Sequence, residues 1–106
     1  GRYLFVVHEY NKITVLDSDY KEIFSIPMLA GELKFQYFSF GSERDILVVV
    51  DPTQEFIFLY GLDGELLNPL PINGNNKVEI EFSESQNEYT IYAIGSNGFA
   101  AYKLPI

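Results

Sequence analysis

Apolar and polar residues follow one another along this chain in short runs, with no sustained helical period. Lys77-Val78-Glu79-Ile80-Glu81-Phe82 alternates strictly, the signature of a strand with one face buried. Ile46-Leu47-Val48-Val49-Val50 is apolar at every position, so a strand there needs packing partners on both faces. Gly, Pro, Asn and Asp punctuate the runs and divide the chain into ten predicted strands. They are Tyr3–His8, Lys12–Leu16, Lys21–Ile26, Leu33–Phe40, Asp45–Val50, Glu55–Tyr60, Glu65–Leu70, Lys77–Phe82, Glu88–Ile94 and Phe99–Leu104. Asp63-Gly64 between two apolar runs is a hairpin signal, because both residues tolerate positive φ. Only Met28–Leu33 has room for a short helical turn, and Gly31 argues against more.

The order of runs and turns repeats. Phe38-Ser39 falls on Phe82-Ser83 at an offset of 44, and the overlay continues without a gap. Ile46–Val50 then lies on Thr90–Ile94, and Phe56, Phe58 and Leu59 on Ala100, Tyr102 and Lys103. The first part of the chain joins at an offset of 43, with Val7 on Val50, Ile13 on Phe56 and Val15 on Phe58. Repeats of approximately 1–30, 31–74 and 75–106 follow, within a single unit spanning 1–106. Four strands to about 44 residues, some buried on both faces, predict an all-β protein of consecutive four-stranded antiparallel β-propeller-like blades. The alternative is a β-sandwich or small barrel. Ten strands make about two and a half blades, the first lacking its innermost strand and the last its outermost. A propeller needs about 4–8 blades, so the expectation is a part of a larger propeller, or several copies closing a ring. The start at Gly1-Arg2-Tyr3, straight into a strand-like run, favours the first.

Phe58-Leu59-Tyr60-Gly61-Leu62-Asp63-Gly64-Glu65-Leu66-Leu67, followed by Pro71-Ile72-Asn73-Gly74, resembles the outer hairpin of blades in bacterial β-propellers. Ile13-Thr14-Val15-Leu16-Asp17 with Ile26-Pro27 resembles the same hairpin in the first unit. Phe99-Ala100-Ala101-Tyr102-Lys103-Leu104 resembles the closing strand of a last blade. The resemblance spans most of the chain, and its motifs are structural. The chain departs from WD-repeat blades in having no Trp-Asp pair, and from quinoprotein-type blades and propeller lectins in having no Trp at all.

Composition narrows the function. Hydrophobic residues make up 47% and charged residues 21%, which argues against disorder. Eight Tyr and nine Phe suit a pleated, packed surface. With 15 Asp and Glu against 7 Lys and Arg the formal charge is −8, which works against nucleic-acid phosphates and anionic lipid. No apolar run approaches the roughly 18–20 residues that span a bilayer, so membrane insertion is not expected. The chain has no Cys, which fits both cytoplasm and bacterial cell envelope.

Candidate chemistry is sparse. His8 is the single histidine, and a lone imidazole lacks the companion ligands that zinc requires. Asp17, Ser18, Asp19 and Glu22 present oxygen atoms, but turn formation accounts for them, as it does for Asp63-Gly64-Glu65. Asn73-Gly74-Asn75-Asn76 and Gly95-Ser96-Asn97-Gly98 read as turns without the strand-then-helix setting of a phosphate loop. Glu79 and Glu81 share one strand face, roughly 6.5–7 Å apart by strand rise. Lys34 and Gln36 lie nearly in register with Lys77 and Glu79 in the preceding repeat. Lys34, Gln36, Glu79 and Glu81 are therefore predicted to form a polar channel lining. No catalytic residue, cofactor or metal is expected.

The function expected from these features is a non-catalytic interaction or scaffold module with a protein or peptide partner. Its sheet array is closed by the remaining blades of a parent protein or by self-association. The alternatives are part of an enzyme or carbohydrate-binding propeller whose site is shared with other blades or chains, with Tyr10, Tyr20 and Tyr37 available to stack on sugars.

Overall fold

The computed structural model describes residues 4–28, 31–41 and 44–105. They form ten strands in three antiparallel sheets, with no helix among the described residues. The N-terminal sheet is a meander of β1 (Phe5–Glu9), β2 (Lys12–Leu16) and β3 (Glu22–Pro27). The central sheet runs β4 (Lys34–Ser39), β5 (Asp45–Asp51), β6 (Phe56–Tyr60) and β7 (Ile72–Asn73). The C-terminal sheet is again a meander, of β8 (Glu79–Ser83), β9 (Glu88–Gly95) and β10 (Gly98–Pro105).

Side chains on a strand point alternately to its two faces, and the central sheet uses both. Ile46, Val48 and Val50 of β5, with Ile57 and Leu59 of β6, pack against Ile80, Tyr89, Ile91 and Ala93 of the C-terminal sheet. Leu47 and Val49, with Tyr60, pack against Ile13, Val15, Phe24 and Ile26 of the N-terminal sheet. All five residues from Ile46 to Val50 are at most 1% exposed. The unbroken apolar run is thus explained by a neighbour on either side. Burying each such aliphatic side chain contributes roughly 1.5–3 kcal/mol, so β5 anchors two separate cores.

The outer edge of the central sheet departs from the predicted strand at Glu65–Leu70. There Leu66 makes a lone bridge to Tyr60, and pairing resumes only at β7, where Ile72 sits opposite Ile57. Pro69 and Pro71 supply no N–H to a ladder, and the side chain of Asn68 takes the ladder's place. It is 3% exposed. Its Oδ1 accepts the Leu59 N–H at 2.8 Å, and its Nδ2 donates to the carbonyls of Ile57 at 3.2 Å and Leu70 at 2.8 Å.

Turn lengths also break the ungapped repeat overlay. Asp51 pairs with Phe56 across four intervening residues, whereas Gly95 pairs with Gly98 across two. With Val50 laid over Ile94, pairing matches Ile57 to Phe99, two residues away from the sequence overlay. Of Met28–Leu33, the described residues Met28 and Gly31–Leu33 are not helical, and Leu29 and Ala30 lie outside the described residues, as does Tyr3 of the first predicted strand.

Where the β5–β6 and β9–β10 hairpins meet, the two sheets approach closely. Gly74 is buried between them, and a Cβ there would fall 2.4 Å from Ile57 Cδ1 and 3.3 Å from the Ile94 carbonyl oxygen. The Gly74 N–H donates to the Glu55 carbonyl and the Asn75 N–H to the Ile94 carbonyl, both at 3.0 Å.

Candidate functional site

The residues predicted to line a channel occupy the edge strands β4 and β8. In β4, Phe35 turns to the N-terminal side, which leaves Gln36 and Phe38 towards the C-terminal sheet. The Gln36 amide then meets the segment leading into β8 as a strand neighbour would. Its Oε1 accepts the Val78 N–H at 2.7 Å and its Nε2 donates to the Val78 carbonyl at 3.0 Å. Lys34 Nζ donates to Asn76 Oδ1 at 3.3 Å, and the same oxygen accepts the Lys77 N–H at 2.8 Å. Lys34 and Gln36 therefore join one junction between two sheets.

Glu79 and Glu81 go elsewhere. Ile80 between them is buried in the core, so both glutamates lie exposed on the outward face of the C-terminal sheet. There the Tyr92 hydroxyl donates to Glu81 Oε2 at 3.2 Å. Tyr92 also stacks on Phe99 at 6.0 Å between centroids, and Phe99 and Ile94 remain 67% and 56% exposed. The opposite outward face, on the N-terminal sheet, shows the same mixture: Tyr20 stacks on Phe5 at 5.0 Å, with Phe5 and Val7 41% and 42% exposed.

The other end of the sheets holds a feature that sequence reading missed. A cleft of about 600 Å³ lies between the β6–β7 connection and the C-terminal sheet, with Leu62, Leu67, Tyr89 and Leu104 among its apolar walls. Arg44, Asp45, Asp63 and Glu65 supply its charged groups. The Arg44 guanidinium lies 4.7 Å from the Phe82 ring centroid, a cation–π contact. Asp45 Oδ1 accepts the Ser39 hydroxyl at 2.6 Å. Burial pushes the Tyr89 phenol upward, opposed by the nearby Arg44 charge and reinforced by Asp45. These groups come from the β4–β5 and β6–β7 connections and from strands β5 and β9, and their convergence leaves no spacing signal in the sequence.

The remaining candidates serve local structure. The His8 ring meets Phe35 edge-on at 6.0 Å. Asp17 Oδ1 accepts the N–H groups of Asp19 and Lys21, closing a turn in which Tyr20 has a φ of 62°. Asp63 Oδ1 accepts the Glu65 N–H in the same manner. Tyr10 is 85% exposed, whereas Tyr37 is half-buried on β4. Among the described residues, no group of three or more acidic or imidazole side chains converges as a metal cage. No helix among them is long and apolar enough to cross a membrane. Compared with protein-family models, curated proteins and solved structures, the sequence and its fold match none.

Proposed function

We propose that the three sheets are consecutive blades of a β-propeller-type interaction module, non-catalytic in itself, that engages a protein or peptide partner. The observation that carries this reading is the central sheet, whose two faces are each buried against a different sheet. A two-layer sandwich leaves one face of every sheet to solvent, so a third layer favours a radial array over that alternative. The outward faces of both terminal sheets supply the second support. Phe5 and Val7 at one end, and Ile94 and Phe99 at the other, leave apolar surface where an array would continue. The ring is closed by further sheets, encoded beside this chain or contributed by other copies of it.

Light scattering over a concentration series, together with the sequence of the parent reading frame, tests this. The module reading expects either further units of about 44 residues in the flanking frame or concentration-dependent association of this chain. In the second case Phe99→Lys disperses the assembly while the circular-dichroism signal of the sheets is kept. A monomer at every concentration, from a frame without further units, rules the propeller out.

A further inference from the structure

The sequence contains two Asn-Gly pairs, Asn73-Gly74 and Asn97-Gly98, and the structure treats them in opposite ways. Asparagine followed by glycine is the pair most open to spontaneous deamidation, because glycine carries no Cβ to obstruct attack by its own backbone nitrogen. The Gly nitrogen attacks the Asn carboxamide carbon, and a new C–N bond forms as the bond from that carbon to Nδ2 breaks. Nδ2 leaves as ammonia, carrying the proton released by the Gly N–H. Solvent water then opens the five-membered succinimide at either carbonyl, giving aspartate or isoaspartate. Reaction requires the Gly nitrogen to swing towards the carboxamide, so packing and hydrogen bonds decide which pair can react.

At Asn73-Gly74 that movement is blocked. Asn73 pairs with Phe56 in β7, and the Gly74 N–H is bound to the Glu55 carbonyl. Gly74 is buried against Ile57 and the Ile94 carbonyl, and the next N–H, of Asn75, is bound as well. At Asn97-Gly98 both residues are exposed, Asn97 in the two-residue β9–β10 turn and Gly98, paired with Gly95, as the first residue of β10. Gly98 has a φ of 104° and nothing within 4 Å of where a Cβ would stand. We propose that Asn97 is a site-selective deamidation site, and that its modification releases a contact between the central and C-terminal sheets.

The consequence follows from the neighbour of Asn97. The Ser96 N–H and hydroxyl are both held by the Glu55 carboxylate of the central sheet. Isoaspartate lengthens the backbone of this turn by one carbon, and either product sets a new carboxylate one residue from that contact. Like charge opposes Glu55, and the altered backbone no longer presents Ser96 to it.

The test is peptide mapping by mass spectrometry after prolonged incubation of the folded protein at mildly alkaline pH, with a sample in urea alongside. Conversion of amide to carboxyl is expected at Asn97 at least roughly tenfold faster than at Asn73 in the folded protein, because Asn73 reacts only through local opening. In urea the two rates converge. Equal rates in the folded protein, or conversion of Asn97 only in urea, overturn the proposal. Asn97→Asp supplies a second readout by hydrogen exchange: loss of protection at the Ser96 amide is expected, and unchanged protection overturns the link to the sheet contact.

Discussion

Glu55 and Ser96 fasten the tips of two hairpins together across the boundary between the central and C-terminal sheets. Glu55 Oε1 accepts the Ser96 N–H at 2.8 Å, and Oε2 accepts the Ser96 hydroxyl at 2.9 Å. Glu55 itself is held at a φ of 59°, a left-handed conformation uncommon for a residue with a Cβ. The approach also depends on Gly95, where a Cβ would stand 3.1 Å from Glu55 Oε1 and 3.3 Å from Gly74 Cα. One exposed carboxylate thus reads out whether two sheets are in register.

That carboxylate makes the contact pH-dependent. Hydrogen bonds from the Ser96 backbone and then its hydroxyl hold Glu55 below its ordinary pKa, against a smaller opposing effect of desolvation. The folded-state pKa is below the unfolded one, so the contribution is complete above the ordinary glutamate range and fades as pH falls through the lowered value. Thermal unfolding of the wild type and Glu55→Gln should therefore differ at neutral pH and converge in acid. A difference that stays constant with pH would show that Ser96 does not select the ionised form.

Asn68 is expected to be the most sensitive polar position. Asn68→Ala leaves the Leu59 N–H and Ile57 carbonyl of β6 without the partners they have now. Unsatisfied buried groups cost about 1–3 kcal/mol, to be read from urea unfolding. Asn68→Asp keeps the acceptor for Leu59 but turns a second oxygen towards the carbonyls of Ile57 and Leu70, so it should destabilise at least as much. If both variants unfold with the wild type, the outer edge of the central sheet does not depend on this side chain.

These positions show what could be read in advance. Period-two alternation marked Ile80 as inward between Glu79 and Glu81, and the unbroken run Ile46–Val50 required covering on both faces. Such features are local, since the direction of a side chain depends only on position along a strand. Asn68 was hidden inside a predicted strand, because its role depends on Leu59 and Ile57 across the fold. The sequence offers Gln36 only as a polar lining residue, and nothing in its spacing announces that its amide reaches Val78, 42 residues away. The cleft beside Arg44 and Tyr89 was invisible for the same reason. Long-range partners have no sequence period.

Gly74 tests the closeness of the sheets. In Gly74→Ala the new methyl group meets Ile57, itself fully buried, and lies close to the Ile94 carbonyl and the Ala93 side chain. Overpacking of this kind costs about 1–3 kcal/mol. Gly31→Ala, where nothing stands within 4 Å, provides the comparison and should change stability little. Equal unfolding midpoints for the two variants would mean that the hairpins can separate without cost.

The last prediction concerns the inner edge. Gln36 satisfies both backbone groups of Val78, which is 2% exposed, so the amide acts as a substitute strand between β4 and the approach to β8. Gln36→Leu preserves bulk and removes both hydrogen bonds, with an expected loss of about 1–3 kcal/mol. Gln36→Glu retains an acceptor for the Val78 N–H, loses the donor to its carbonyl, and should fall between Leu and the wild type at neutral pH. Global unfolding alone does not locate the effect, so amide hydrogen exchange at Val78 is the decisive measurement. Protection there should drop in Gln36→Leu more than at Ile91, which lies in β9, the middle strand of the C-terminal sheet. A uniform loss across both amides would place the contribution of Gln36 in general packing instead of the joint between the two edges.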